Sequence, residues 1–160
     1  VTGLLLAGLG LSAVCALGAL IAVVGVVAMA FPGRPEPWAV RLLRRAAGAA
    51  AWAAVAVYSL GLSGVLLSEH AFNNGADSIP APACRDGFDA ETRQGLSHHR
   101  SSYLPLRFDC VRDDGTVYSS EPGYVWMNWA TASLALAAVL LATGAGYATE
   151  LRARKAARVS

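Results

Sequence analysis

The sequence predicts an all-α membrane protein: three transmembrane helices, with a small disulfide-closed, hairpin-containing external loop between helices 2 and 3. Three observations carry this expectation. Three long runs lack charged side chains, the arginines are segregated along the chain, and two cysteines sit inside the one long polar stretch. Of 160 residues, 55% are hydrophobic and 15% charged, with a mean hydropathy of +0.44. Ordinary soluble domains carry about 25% charged residues, so the composition favours a lipid environment.

Residues 3–31 form the first expected span, with the Cys15 thiol as their only ionisable group. A helix rises about 1.5 Å per residue and the hydrocarbon core is about 30 Å thick, so roughly 20 residues suffice. This run is longer than needed, which leaves room for tilt. Val1 fits a GTG start codon translated literally, as it also fits a trimmed N-terminus. "LSAVC", ending at Cys15, has the outline of a lipoprotein signal. Val14 occupies the place of a small residue, however, and no basic residue precedes it, so Cys15 is expected to be a small apolar core thiol. "AMA" at 28–30 imitates a cleavage site, but the run before it is too long for a signal-peptide core, and the topology needs no cleaved leader.

Residues 32–45 form a basic connection with Arg34, Arg41, Arg44 and Arg45 against Glu36, which places it in the cytoplasm. Pro37 suits a helix start. Trp38, Arg41, Arg44 and Arg45 are expected at the membrane interface, the three arginines sharing one helical face as ordinary positive-inside anchors. Residues 46–67 form the second span, and 123–147 the third, inside a stretch (123–149) without Asp, Glu, Lys, Arg or His. Tyr124, Trp126 and Trp129 mark the external end of the third span and Tyr147 its inner end. The tail, 148–160, carries Arg152, Arg154, Lys155 and Arg158 against Glu150 and should be cytoplasmic. Three crossings then put the N-terminus outside.

Small residues recur every fourth position at Gly8, Ser12 and Ala16, at Ala46, Ala50 and Ala54, and at Ala138, Ala142 and Gly146. In lipid such faces are the usual helix contacts. The polar residues within the spans are mild: Ser12, Ser59, Ser63, Asn128, Thr131, Ser133 and Thr143. Ion pathways need ionisable groups at depth, so a lone protomer is not expected to be a pump or channel.

Residues 68–122 hold nine acids against five arginines, a formal charge of −4, and should face outward. In an oxidising compartment Cys84 and Cys110, the external pair, are expected to form a disulfide. "YLPLRFDCVRDDGTVYSS" predicts a hairpin in which Leu104, Leu106, Phe108 and Cys110 share a face while Arg107 and Asp109 point away. Asp113, Asp114 and Gly115 supply the turn, and Pro105 implies an edge strand or a bulge. "DAETRQG" predicts a short helix capped by Asp89 and ended by Gly95.

Chemistry in this loop is sparse. Thiol exchange wants closely spaced cysteines, and these are 26 residues apart. Metal binding would recruit His70, His98, His99 and Glu69, but adjacent histidines diverge in a strand or a helix, so no metal site is assigned. Ser97, Ser101, Ser102 and His98 lack the context of a nucleophile motif, and no phosphate-binding glycine loop is present. No cofactor is expected, and no nucleic acid, the basic tail being short and beside the membrane.

The heavy use of Arg and Ala suggests a GC-rich bacterial genome. Along "PAPACRDG" and "SYLPLRFDCVRDDGTVYSSEPGYVWMNWA" the chain resembles small actinobacterial integral membrane proteins of uncharacterised function, through Cys84, Pro105, Cys110, Asp114 and Gly115. The resemblance implies a Gram-positive plasma membrane and a disulfide-closed ectodomain, and brings no catalytic residues with it. The expectation is a non-enzymatic accessory or interaction subunit whose external loop contacts a membrane partner or a second copy. The alternatives are an extracytoplasmic sensor or metal-ion binder and a membrane thiol oxidoreductase.

Overall fold

The computed structural model describes residues 2–28, 38–74 and 81–158. Val1, most of the basic connection including Arg34, Glu36 and Pro37, and the end of the "AMA" stretch lie outside them. In chain order the elements are α1 (Thr2–Val27), α2 (Trp38–Asn74), α3 (Pro82–Arg85), α4 (Ala90–Arg93), β1 (Leu96–Tyr103), β2 (Leu106–Arg112), β3 (Val117–Ser119) and α5 (Gly123–Ala157). The chain is mostly helical. Helices α2 and α5 are long and apolar enough to cross a membrane, while in α1 the described apolar stretch is Ala13–Gly25.

Both long helices outrun the apolar segments that announced them. Nothing in "WAVRLLRR" or "SEHAFNN" breaks a helix, so α2 continues through the arginines at one end and Glu69 and His70 at the other. The charged "TELRARKAA" likewise continues α5, where Glu150 and Arg154 pair at 2.8 Å one turn apart. Contacts divide the chain into two compact units, one containing Tyr58–Trp129, the other Leu9–Val57 and the residues from Ala130 onward.

In the second unit the helices are apolar on the outside and small on the inside. Leu17, Leu20, Ile21 and Val24 of α1 are exposed, Ile21 to 72%, whereas Cys15 is 1% exposed. The inward line of α1 is Cys15, Gly18, Ala22 and Gly25, at alternating steps of three and four. Gly18 leaves room for the Trp52 ring of α2, which lies 3.0 Å from where a Cβ would stand. Ala16, expected at a contact, faces out instead, and the side chains of Gly8 and Ser12 lie outside the described set. On α2, Ala54 is buried and Ala46 and Ala50 are half-buried. On α5 from Ala130 onward the buried residue is Ala145, Ala138 is half-buried, and Ala142 and Gly146 are exposed. Thr143 and Thr149 return their hydroxyls to carbonyls at the preceding turn, which keeps polar atoms satisfied without water.

The first unit holds an antiparallel sheet of order β1-β2-β3. Leu106, Phe108 and Cys110 of β2 are fully buried, on a core shared with Val65 of α2, Ala81, Cys84 and Tyr124 of α5. Burying Leu106 and Phe108 contributes about 1.5–3 kcal/mol each. The expected β2–β3 hairpin is present, and Gly115 closes its turn at φ +79°. Two details differ from expectation. Leu104 belongs to a tight two-residue turn joining β1 to β2 and is 84% exposed, so it leaves the apolar face. Pro105 sits in that same turn, where its missing N–H costs no ladder bond, and the sheet's irregularity lies elsewhere, between Leu96 and His98.

Candidate functional site

The candidate site is the disulfide-closed sheet with the C-terminal half of α2 and the first turns of α5 that it packs upon. Cys84 comes from α3, a single turn opened by Pro82, and Cys110 from the centre of β2. The two are disulfide-bonded, with Cα atoms 5.8 Å apart and both residues fully buried. Tyr118 of β3 donates its hydroxyl to the Cys84 carbonyl at 2.6 Å, tying the bridge to the far strand. Burial of the phenol raises the Tyr118 pKa.

Arg112 organises the polar side of the loop. Its Nε and Nη2 donate to the Thr92 carbonyl at 3.0 and 2.9 Å, its Nη1 donates to the Thr116 hydroxyl at 3.2 Å, and its guanidinium lies 5.3 Å from the Tyr118 ring centre. The expected cap holds. Asp89 accepts the Thr92 N–H at 2.7 Å, and Gly95 follows the helix with φ +69°. Asp114 accepts both the N–H and the hydroxyl of Thr116 within its turn. Hydrogen bonding from Thr92 and Thr116, side chain first and backbone second, lowers the pKa values of Asp89 and Asp114 from 3.8.

The sheet is fastened to the helices by specific contacts. Asn128 of α5 accepts the Leu106 N–H through Oδ1 and donates Nδ2–H to the Leu106 carbonyl, both at 2.9 Å. It thereby completes β2 beyond the end of β3, replacing a strand where one is missing. Tyr58 of α2 donates to the Tyr103 carbonyl at 2.9 Å, and Gly61 lets the Leu106 side chain rest on the helix, 2.5 Å from a would-be Cβ. His99 stacks on Phe108 with ring centres 5.0 Å apart, meets Phe72 edge-on at 4.4 Å, and has its Nε2 3.5 Å from Glu69 Oε1.

The histidines do not converge. His99 faces α2, while His98 is exposed on the other face of β1 with Nδ1 3.4 Å from Ser97 Oγ. Among the described residues no three His, Cys, Asp or Glu side chains gather as a metal site would require. Of the expected interface residues, Trp126 and Trp129 are exposed, Trp129 to 72%, whereas Tyr124 is buried against Gly64. Trp38, Arg41 and Arg44 are exposed, but Arg45 donates to the Gly25 carbonyl at 2.9 Å and so caps the last turn of α1. The roles of Asn128 and Arg45 were invisible in the sequence, because their partners are backbone atoms distant in the chain. No family model, curated protein or solved structure matches this chain.

Proposed function

We propose that this protein is a three-span membrane protein whose disulfide-closed sheet is an extracytoplasmic contact surface, acting as an accessory or interaction subunit without catalytic activity of its own. The observation that carries the reading is the rigid mounting of the sheet. A stapled three-stranded platform is tied through Tyr58 and the His99 stack to the C-terminal half of α2 and through Asn128 to the first turns of α5. Such mounting presents a fixed surface at the membrane boundary. Support for the membrane comes from the exposed large apolar side chains of α1, α2 and α5, which in water would form a patch far beyond what monomers tolerate. Support for the orientation comes from the arginine-rich segments on the other side of each span and from the oxidised cysteines.

The test is extraction in a mild detergent followed by native mass measurement. A co-purifying membrane protein or a defined homo-oligomer is the expected result, and a strictly monomeric protein without a partner contradicts the contact-surface reading.

A further inference from the structure

Two grooves meet on the face of the sheet that points away from its core. One, of about 420 Å³, runs between β2 and α5 and is walled by Val125, Asn128 and Trp129 on the helix side. The other, of about 280 Å³, is polar, with Arg100, Ser101 and Ser102 of β1 along it. Pro105, Arg107 and Asp109 line both. Alternation along β2 places Arg107 and Asp109 on this face because Leu106, Phe108 and Cys110 occupy the other. Asp109 is engaged by Arg100 at 3.7 Å. Arg107 is exposed, and its side chain makes no hydrogen bond or ion pair among the described residues. The pair of grooves thus carries one uncompensated positive charge at its junction, with an apolar wall on one side and Ser102, the cross-strand partner of Arg107, on the other.

We propose that this junction holds an anionic glycerophospholipid, with its phosphodiester at Arg107, its polar headgroup beside Ser102, and the start of an acyl chain against Val125 and Trp129. Two features favour a lipid over a soluble anion, and a third fits any phosphate. Val125 and Trp129 lie one turn apart on the same exposed face of α5, 62% and 72% accessible, and offer apolar surface that inorganic phosphate cannot use. Indole rings at the end of a spanning helix sit at headgroup depth, where the phosphodiester is. Arginine forks match phosphate oxygens in paired hydrogen bonds. The inference rests on the membrane-spanning reading proposed above, and is independent of which leaflet the sheet faces.

The test titrates the full-length protein in mild detergent with 1-palmitoyl-2-oleoyl-phosphatidylglycerol and counts retained lipid by native mass spectrometry. Wild type should retain one lipid that excess inorganic phosphate does not displace. Arg107→Gln should weaken retention about tenfold, the effect of losing a charge-assisted contact. Arg85→Gln, the same charge change at an exposed arginine of α3, should leave it within about twofold. A non-reducing mass that shows the Cys84–Cys110 bridge intact in each variant separates loss of the site from loss of the fold. Equal retention by Arg107→Gln and wild type, equal weakening by both substitutions, or displacement by inorganic phosphate alone would overturn the proposal. A protein that stays monodisperse without detergent refutes the membrane reading itself, whereas one that needs detergent yet retains no phosphatidylglycerol refutes only this site.

Discussion

Asn128 shows how a single polar side chain inside an apolar helix can organise a neighbouring sheet. Its amide supplies both a donor and an acceptor to Leu106, whose backbone would otherwise be left unpaired next to a fully buried side chain. Asn128→Leu should therefore cost about 2 kcal/mol, through two backbone groups left without partners, and thermal unfolding in detergent should show it as a lowered midpoint. Gly61 makes the complementary point, since the Leu106 methyl occupies the space its missing Cβ leaves. Gly61→Val should destabilise by about 1–3 kcal/mol through overpacking. Asp89 and Asp114 carry an acid dependence. Their folded pKa values lie below the ordinary 3.8, so their contribution is present above that value and is lost as pH falls through the folded values. An acid titration followed by amide NMR should show the α4 and β2–β3 turn signals shifting below about pH 4, and Asp114→Asn should flatten the change in the turn. The Asp89 cap and the turn at Asp114 were legible in the sequence because each depends on neighbours within three residues. Asn128 was not, because its partner lies 22 residues away.

At the scale of elements, legibility follows the sharpness of the pattern. Strand β2 alternates cleanly, so its buried Leu106, Phe108 and Cys110 could be read directly, and the turn residue Gly115 fixed where β3 begins. Strand β1, "LSHHRSSY", has no apolar alternation because, of its inward positions Leu96, His99 and Ser101, only Leu96 is aliphatic, so its place beside β2 was hidden. The helix seam was hidden for the opposite reason. In a chain this rich in Ala and Gly every register offers small residues, and the structure turns Cys15, Gly18, Ala22 and Gly25 inward while Ala16, one member of the expected four-residue repeat, faces out. The staple between α3 and β2 should contribute substantially. Replacing both Cys84 and Cys110 by Ser frees a loop of 26 residues, and the chain-entropy cost is about 3.5 kcal/mol. Hydrogen exchange should show the sheet losing protection while α1 and the arginine end of α2 keep theirs. Uniform loss along the whole chain would mean that the sheet is not a separable unit.

The whole molecule inverts the usual polarity of a soluble fold. Its large apolar side chains are turned outward along the helices, its small ones inward, and its most conventional core lies in the sheet unit, under a disulfide. That arrangement is what a lipid solvent requires, because apolar side chains gain nothing by leaving it and helices meet by close packing. The distribution of charge supports the proposed direction. Arginines cluster at the start of α2 and the end of α5, while residues 68–122 carry nine of the eleven acids. The central claim, that the sheet and the C-terminal tail lie on opposite sides of a bilayer with the sheet outside, is tested most directly by labelling intact cells with a membrane-impermeant maleimide. Ala90→Cys, exposed on α4, should label in intact cells, and Ala156→Cys, exposed near the end of α5, only after permeabilisation. Labelling of Ala156→Cys in intact cells, or of both positions only after permeabilisation, would contradict the account.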